Sequence, residues 1–182
     1  MTKLYRYIIL SIIGLASFSM TGYSQSYVEK KLENIILTAV EKLNNQDIAG
    51  AKAILSDLVA ADTDNDAAWY YMGQVAVQEL DIALAEECFR KAAELDPSNF
   101  WYRQRLAALY AATQRGELAI DVYEKLLKDF PKKSDIYLEL VELYAAQKEI
   151  DKALSTIEEV EKVFGVTESL AVYRFNLLRM AG

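Results

Sequence analysis

The sequence predicts an all-α chain of antiparallel helix pairs repeated at a period of 34 residues, and three observations carry that prediction. Ala51, Ala85, Ala119 and Ala153 recur 34 residues apart, and four residues after each stands a large apolar or aromatic side chain: Leu55, Phe89, Tyr123 and Ile157. The two prolines, Pro97 and Pro131, each follow a repeat alanine by 12 residues, at the end of a helical pattern where a missing N–H stops the helix. Seven glycines and two prolines in 182 residues, with no alternating apolar run bounded by Gly or Asn-Gly turns, leave no strand signal.

Each unit holds two amphipathic segments of about 13 to 15 residues with a short turn between them, the length of an antiparallel helix pair. The predicted helices are 26–44, 47–61, 66–79, 81–95, 99–113, 116–130, 134–147, 149–164 and 167–181. Cap and turn residues separate them: Asn44, Asn45 and Asp47; Asn65 and Asp66; Asp81; Ser98 and Asn99; Gly116; Ser134 and Asp135; Gly165 and Thr167. The repeats fall at about 32–65, 66–99, 100–133 and 134–167, with a partial fifth at 168–182. Small alanines let the two helices of a pair approach closely, and the larger side chains fill the grooves between pairs.

The first stretch is of another kind. MTKLYRYIILSIIGLASFSMTGYSQ places Lys3 and Arg6 ahead of an apolar run from Ile8 to Met20, with the small residues Gly22 and Ser24 after it. It reads as a cleavable signal peptide over 1–24, too short for a spanning helix of about 20 residues. An uncleaved N-terminal anchor is the alternative. Export to a periplasm or the exterior is the expectation, with 25–182 as the repeat domain. Removing 1–24 leaves 18 Lys+Arg against 27 Asp+Glu, a net charge of −9. Such a surface repels phosphate backbones and anionic headgroups, which argues against nucleic acid or a membrane surface as partner.

Chemistry finds little to work with. No histidine occurs in the chain, so the commonest general base and neutral metal ligand are missing. There is no Gly-rich phosphate loop and no second cysteine to make a zinc pair or a disulfide. Glu86-Glu87 and Glu158-Glu159 diverge by about 100° on a helix and cannot share a substrate. The acids Asp62, Asp64, Asp66 and Glu79, Asp81 lack the twelve-residue calcium-loop pattern. No cofactor, metal site or enzymatic activity is expected. The lone Cys88 shares its column with Ile54, Val122 and Thr156 and reads as packing, while Glu86 with Arg90 and Glu87 with Lys91 are spaced for surface ion pairs.

With these residues in view, the chain resembles the tetratricopeptide repeat family, whose signature runs Trp, Leu-Gly, Tyr, Ala, Phe, Pro at fixed offsets. The second unit matches best, with Trp69, Met72-Gly73, Ala85, Phe89, Ala92 and Pro97. The third keeps Leu106, Tyr110, Ala119, Tyr123 and Pro131, and the fourth Tyr137, Leu140, Tyr144 and Ala153. The first is weakest: it keeps Ala51 and Leu55 but sets Thr38 and Lys42 at packing positions, so the register of its first helix is open. The resemblance implies an α-solenoid with a right-handed superhelical twist, about four repeats and one extra C-terminal helix.

It also implies a partner surface, because in the family the first helix of each pair lines the concave side, where protein segments lie. Carried over by register, that surface holds Tyr70, Tyr71, Gln74 and Gln78, then Trp101, Gln104 and Arg105, then Leu138, Glu139 and Glu142. Rings supply area and amides satisfy backbone groups. The alternative for Tyr70 and Trp101 is packing between helices. The family's carboxylate clamp for chaperone tails does not fit, since Ile36, Val40, Tyr71, Asp135 and Glu139 stand there and two acids repel a carboxylate. The expected function is an exported, non-enzymatic scaffold that binds a peptide or helix of another protein. The alternatives are an assembly subunit that self-associates through residues 168–182, or a repeat module of a longer protein. Both arise because Leu170, Val172, Tyr173, Phe175, Leu177, Leu178 and Met180 make the last helix apolar nearly all round, whereas a capping helix needs a polar outer face.

Overall fold

A computed structural model describes residues 30–181, so the predicted signal segment 1–24 lies outside the described residues. Among those described, all regular structure is helical. The chain resolves into two compact units, one reaching Thr63 and one starting at Asp64.

In the first unit, α1 (helical over 30–44) is followed by α2 (Ile48–Ala61). The open register of the first helix is settled by Ala39, which is fully buried, as are Ala51 and Leu55. Thr38 faces out instead and returns its hydroxyl to the Asn34 carbonyl at 2.9 Å. Lys42 bonds Asp47 at 2.6 Å, and the same carboxylate accepts the Gly50 N–H at 2.9 Å as the N-cap of α2.

The second unit contains α3 (Asp66–Gln78), α4 (Ile82–Leu95), α5 (Phe100–Ala112), α6 (Gly116–Asp129), α7 (Ser134–Ala146), α8 (Ile150–Phe164) and α9 (Glu168–Ala181). Each helix packs on the next in chain order, which is the stacking of helix pairs that the period requires. From α2 onward every predicted helix forms, with ends within one residue of expectation. Asn65, Asp81 and Asn99 cap their helices as their residue types suggest, accepting from Ala68, Leu84 and Trp101 at 2.9, 3.1 and 3.1 Å. Gly116 and Ser134 are not caps but first helical residues, behind Arg115 and Lys133, which make no side-chain cap bond.

Between α3 and α4 the approach is close. A Cβ placed on Gly73 would lie 2.6 Å from the ring of the buried Phe89. The same two columns read Ala39, Gly73, Ala107, Val141 on first helices and Leu55, Phe89, Tyr123, Ile157 on second helices. The two rings, Phe89 and Tyr123, stand in repeats whose first-helix residue is small, Gly73 and Ala107, while Ile157 shares its repeat with Val141. All eight are buried. Each repeat thus fills its core with a different combination of side chains.

The turn inside each pair repeats a feature that residue types do not announce. Gln46, Leu80, Gln114 and Lys148, again 34 apart, all adopt the left-handed conformation, with φ of 62°, 61°, 61° and 63°. Each closes a Schellman-type turn; for Leu80, its own N–H reaches the Val77 carbonyl at 3.1 Å and the Asp81 N–H reaches Ala76 at 2.9 Å. None of the four is glycine, so each repeat carries a steric cost that the stacking offsets.

Neighbouring pairs are tied by polar contacts. Glu86 of α4 accepts from the Arg115 guanidinium at 2.6 Å and from the Tyr110 hydroxyl at 3.2 Å. The expected Glu86–Arg90 ion pair is absent; Arg90 bonds Glu94 at 2.5 Å, because Glu86 is drawn toward the next pair. One step on, the Tyr144 hydroxyl bonds Glu124, and beyond it the Tyr173 hydroxyl donates to Glu142 at 2.8 Å. The Arg115 guanidinium, seconded by the Tyr110 hydroxyl, holds the Glu86 carboxyl below its ordinary value against the opposing effect of burial.

Three outcomes are expected of this frame. Leu80→Gly raises the thermal midpoint, gaining about 0.5–1 kcal/mol, since the side chain is 81% exposed and only its Cβ strain is lost; calorimetry reads it. Gly73→Ala loses about 1–3 kcal/mol by overpacking, and Gly73→Ala combined with Phe89→Leu recovers part of that loss in denaturant titration. Glu86→Gln loses up to about 1 kcal/mol at neutral pH, the size expected for a partly solvated pair. Because the folded carboxyl titrates below its ordinary 4.5, that stabilisation is full above the ordinary value and vanishes as pH falls through the folded one, so the two chains converge in acid.

Candidate functional site

In the second unit the first helices α3, α5 and α7 share one side of the stack, and the surface between α3 and α5 is hollow. A groove of about 320 Å³ is lined by Gln74, Val77 and Gln78 from α3 and by Arg105, Ala108, Leu109 and Ala112 from α5, with Phe89 of α4 beneath. The helical spacing explains the set. Gln74, Val77 and Gln78 fall on one face of α3, as Arg105, Ala108 and Ala112 do on α5. The alanines keep the α5 wall low, so the groove stays open.

Three expected site residues, Gln74, Gln78 and Arg105, come together here. Among the described residues no hydrogen bond or ion pair engages their side chains. Gln78 and Arg105 are exposed and Gln74 half-buried, so their amide and guanidinium groups are open to a ligand at the groove. Val77, 40% exposed, together with Ala108 and Ala112, completes the groove and was not singled out by residue type. The available signal was the run of small residues at i and i+4 on the outer face of α5.

The remaining expected residues lie elsewhere on the same side. Tyr71 is half-buried beside Tyr70, edge to face at 5.2 Å. Tyr70 itself packs against Tyr102 at 4.9 Å and Phe89 at 5.9 Å, and so serves the junction of α3, α4 and α5. Its register mates Gln104 and Leu138 are likewise half-buried, and Leu138 packs against the core. Trp101 is 55% exposed, with its ring edge to face on Phe100 at 5.1 Å and the Lys133 ammonium 5.5 Å away. Glu142 is exposed and holds the Tyr173 hydroxyl.

The electrostatics of this side run from positive to negative along the stack. Arg105 stands on α5, and Asp135, Glu139 and Glu142 gather on α7. Burial, then Glu142 and Asp135, push the Glu139 carboxyl above its ordinary value. A cation arriving beside it would relieve that crowding.

Two other features of the described residues are occupied by the protein's own contacts. The Cys88 thiol is fully buried, and burial, seconded by Glu87 and Asp81, pushes it up to about 12. It stays protonated and packs. A second hollow, about 340 Å³ among α6, α7 and α8, is crossed by the protein's own Tyr144–Glu124 bond and by Lys152 lying 5.4 Å above the Tyr144 ring. Among the described residues no group of three or more His, Cys, Asp or Glu could hold a metal, and no helix is long and apolar enough to cross a membrane.

Comparison with known proteins agrees with this architecture. Two family models, both described as Tetratricopeptide repeat, match residues 66–99 and 115–165. Superkiller complex protein 3 of Mus musculus and of Homo sapiens is 28% identical over 127 residues, 65% of this chain. The chain spans only 8% of the length of those relatives. Among solved structures, a crystal structure of MamA protein superposes with a TM-score of 0.66 at 18% identity, covering 72% of each chain. A structure described as the functional characterization of Pseudomonas aeruginosa pilF superposes with a TM-score of 0.68 at 20% identity, covering 84% of this chain and 70% of that one. Period, helix pairing, signature residues and these matches agree: the chain carries tetratricopeptide repeats over residues 66–99 and 115–165.

Proposed function

We propose that the protein is a non-enzymatic scaffold that binds a segment of another protein in the groove between α3 and α5. The observation that carries this reading is the set Gln74, Gln78 and Arg105, three polar heads without intramolecular partners above an apolar floor. Amides at that spacing suit the backbone groups of an extended or helical segment, and Val77, Ala108 and Phe89 suit an apolar anchor. The sign change from Arg105 to Glu139 selects orientation: an acceptor or acid of the partner lies toward α5 and a cation toward α7. Trp101, exposed at the N-terminal end of the same α5 face, extends the contact area. The binding function does not use catalysis, in keeping with a chain without histidine.

Export to a periplasm or the exterior is part of the proposal and rests on Lys3, Arg6 and the apolar run from Ile8 to Met20. The acidic balance of residues 25–182 suits a soluble partner better than nucleic acid.

A photoreactive residue placed at Val77 or Gln78 in the native cell is expected to yield one dominant crosslinked protein. The same residue at Lys152, in the hollow on the second-helix side, is expected to yield none. Arg105→Glu weakens capture about tenfold, the scale of one reversed interfacial charge, without changing helicity by circular dichroism. Equal capture from both sides, or capture indifferent to Arg105→Glu, would overturn the assignment of this groove.

A further inference from the structure

The last helix carries a second surface, independent of the groove between α3 and α5. α9 turns Leu170 and Leu177 inward, both buried against the core. At 100° per residue the opposite direction is occupied by Glu168, Val172, Phe175 and Arg179, spaced 4, 3 and 4. That is the seam spacing of a helix that pairs with another helix. Val172 is 54% and Phe175 63% exposed, and Ala171 and Leu178 widen the stripe on one side. The polar heads on the inward flanks are already committed, Tyr173 to Glu142 at 2.8 Å and Arg174 to Glu161 at 2.6 Å. They leave the outer stripe apolar in its middle and charged only at its ends.

The order of residues in the stripe decides what can cover it. Acid, small aliphatic, aromatic, cation is complementary to itself when reversed. An antiparallel copy of the same helix sets every member against a suitable one, whereas a parallel copy sets Glu168 on glutamate and Arg179 on arginine. Beside Val172, a depression of about 400 Å³ lined by Glu168, Ser169, Val172, Tyr173 and Asn176 lies where an aromatic side chain opposite Val172 would enter. Antiparallel pairing also opposes the two helix dipoles favourably.

We propose that two copies of this chain associate through α9 about a two-fold axis, Val172 meeting the partner's Phe175 and Glu168 meeting the partner's Arg179. The contact is isologous, so each of these pairs occurs twice. A helix of 14 residues is only about 21 Å long, and the buried area falls below the roughly 1,200 Å² of a standard interface. Association is therefore weak and concentration-dependent, and the two charge pairs at the ends of the stripe set its register.

Sedimentation velocity on the full chain over a wide concentration range tests this. The expected result is a reversible monomer–dimer equilibrium. Phe175→Glu abolishes the dimer while circular dichroism stays unchanged, as the side chain is largely in solvent. Glu168→Arg and Arg179→Glu each weaken association about tenfold, because each sets two like-charged pairs at the interface. The double variant Glu168→Arg/Arg179→Glu restores it, which general loss of apolar surface cannot do. In a mixed sample, Val172→Cys in one copy and Phe175→Cys in the other form an intermolecular disulfide, the buried Cys88 remaining silent. A chain monomeric at every concentration, or one in which an intramolecular segment covers α9, overturns the proposal. So does a dimer indifferent to Phe175→Glu, or one that the double charge swap fails to restore.

Discussion

The distance between the two helices of a pair governs most of what else the molecule does. It is set where Gly73 meets the ring of Phe89, at a separation that leaves no room for a Cβ. The other pairs reach a workable spacing with different volumes, Ala39 with Leu55, Ala107 with Tyr123 and Val141 with Ile157, and every one of these residues is buried. The summed volume differs from pair to pair, since Leu55 and Ile157 are isomers while Ala39 is smaller than Val141, so each pair is packed to its own close fit. In the second unit each helix packs on the next, and stacking is how a helix pair buries its second apolar face.

Two further devices depend on that spacing. The turns at Gln46, Leu80, Gln114 and Lys148 hold left-handed backbone without glycine, a strain that persists because the packed helices on either side determine the chain's path. The tyrosine hydroxyls of Tyr110, Tyr144 and Tyr173 reach acids on neighbouring helices, Glu86, Glu124 and Glu142. Such cross-links fix how each pair rotates on the last. The groove between α3 and α5 is thus built on packed helices, and the proposed binding of a partner segment there would need little reordering of side chains.

Some of this was open to reading in the residues alone. The alanine column, the i+4 column of large side chains and the two helix-ending prolines placed eight helices to within one residue. Asp47, Asn65, Asp81 and Asn99 were recognisable caps because a short acceptor at a helix start has a specific use. Other readings failed for physical reasons. Thr38 and Lys42 at packing positions left the register of the first helix open; Ala39 sits in the core and both polar side chains find bonds at the surface. Glu86 and Arg90 had ideal helical spacing, yet a guanidinium from the adjacent pair offered Glu86 a better-placed partner than its own helix did. The left-handed column carries Gln, Leu, Gln and Lys, residue types that give no hint of positive φ.

For the proposed partner surface, the family resemblance carried over by register named Gln74, Gln78 and Arg105, which line the groove between α3 and α5. Which members of that face line a groove and which fill a junction was decided only by packing. Tyr70 turned inward onto Tyr102 and Phe89, while Val77 and the two alanines of α5 became the walls. The sequence by itself determined the period, the helix ends, the apolar faces and the lack of histidine, since these are local or compositional properties. The tertiary structure alone decided the rotation of each side chain between core and solvent, because that depends on the volume offered by residues about 16 or 34 positions away.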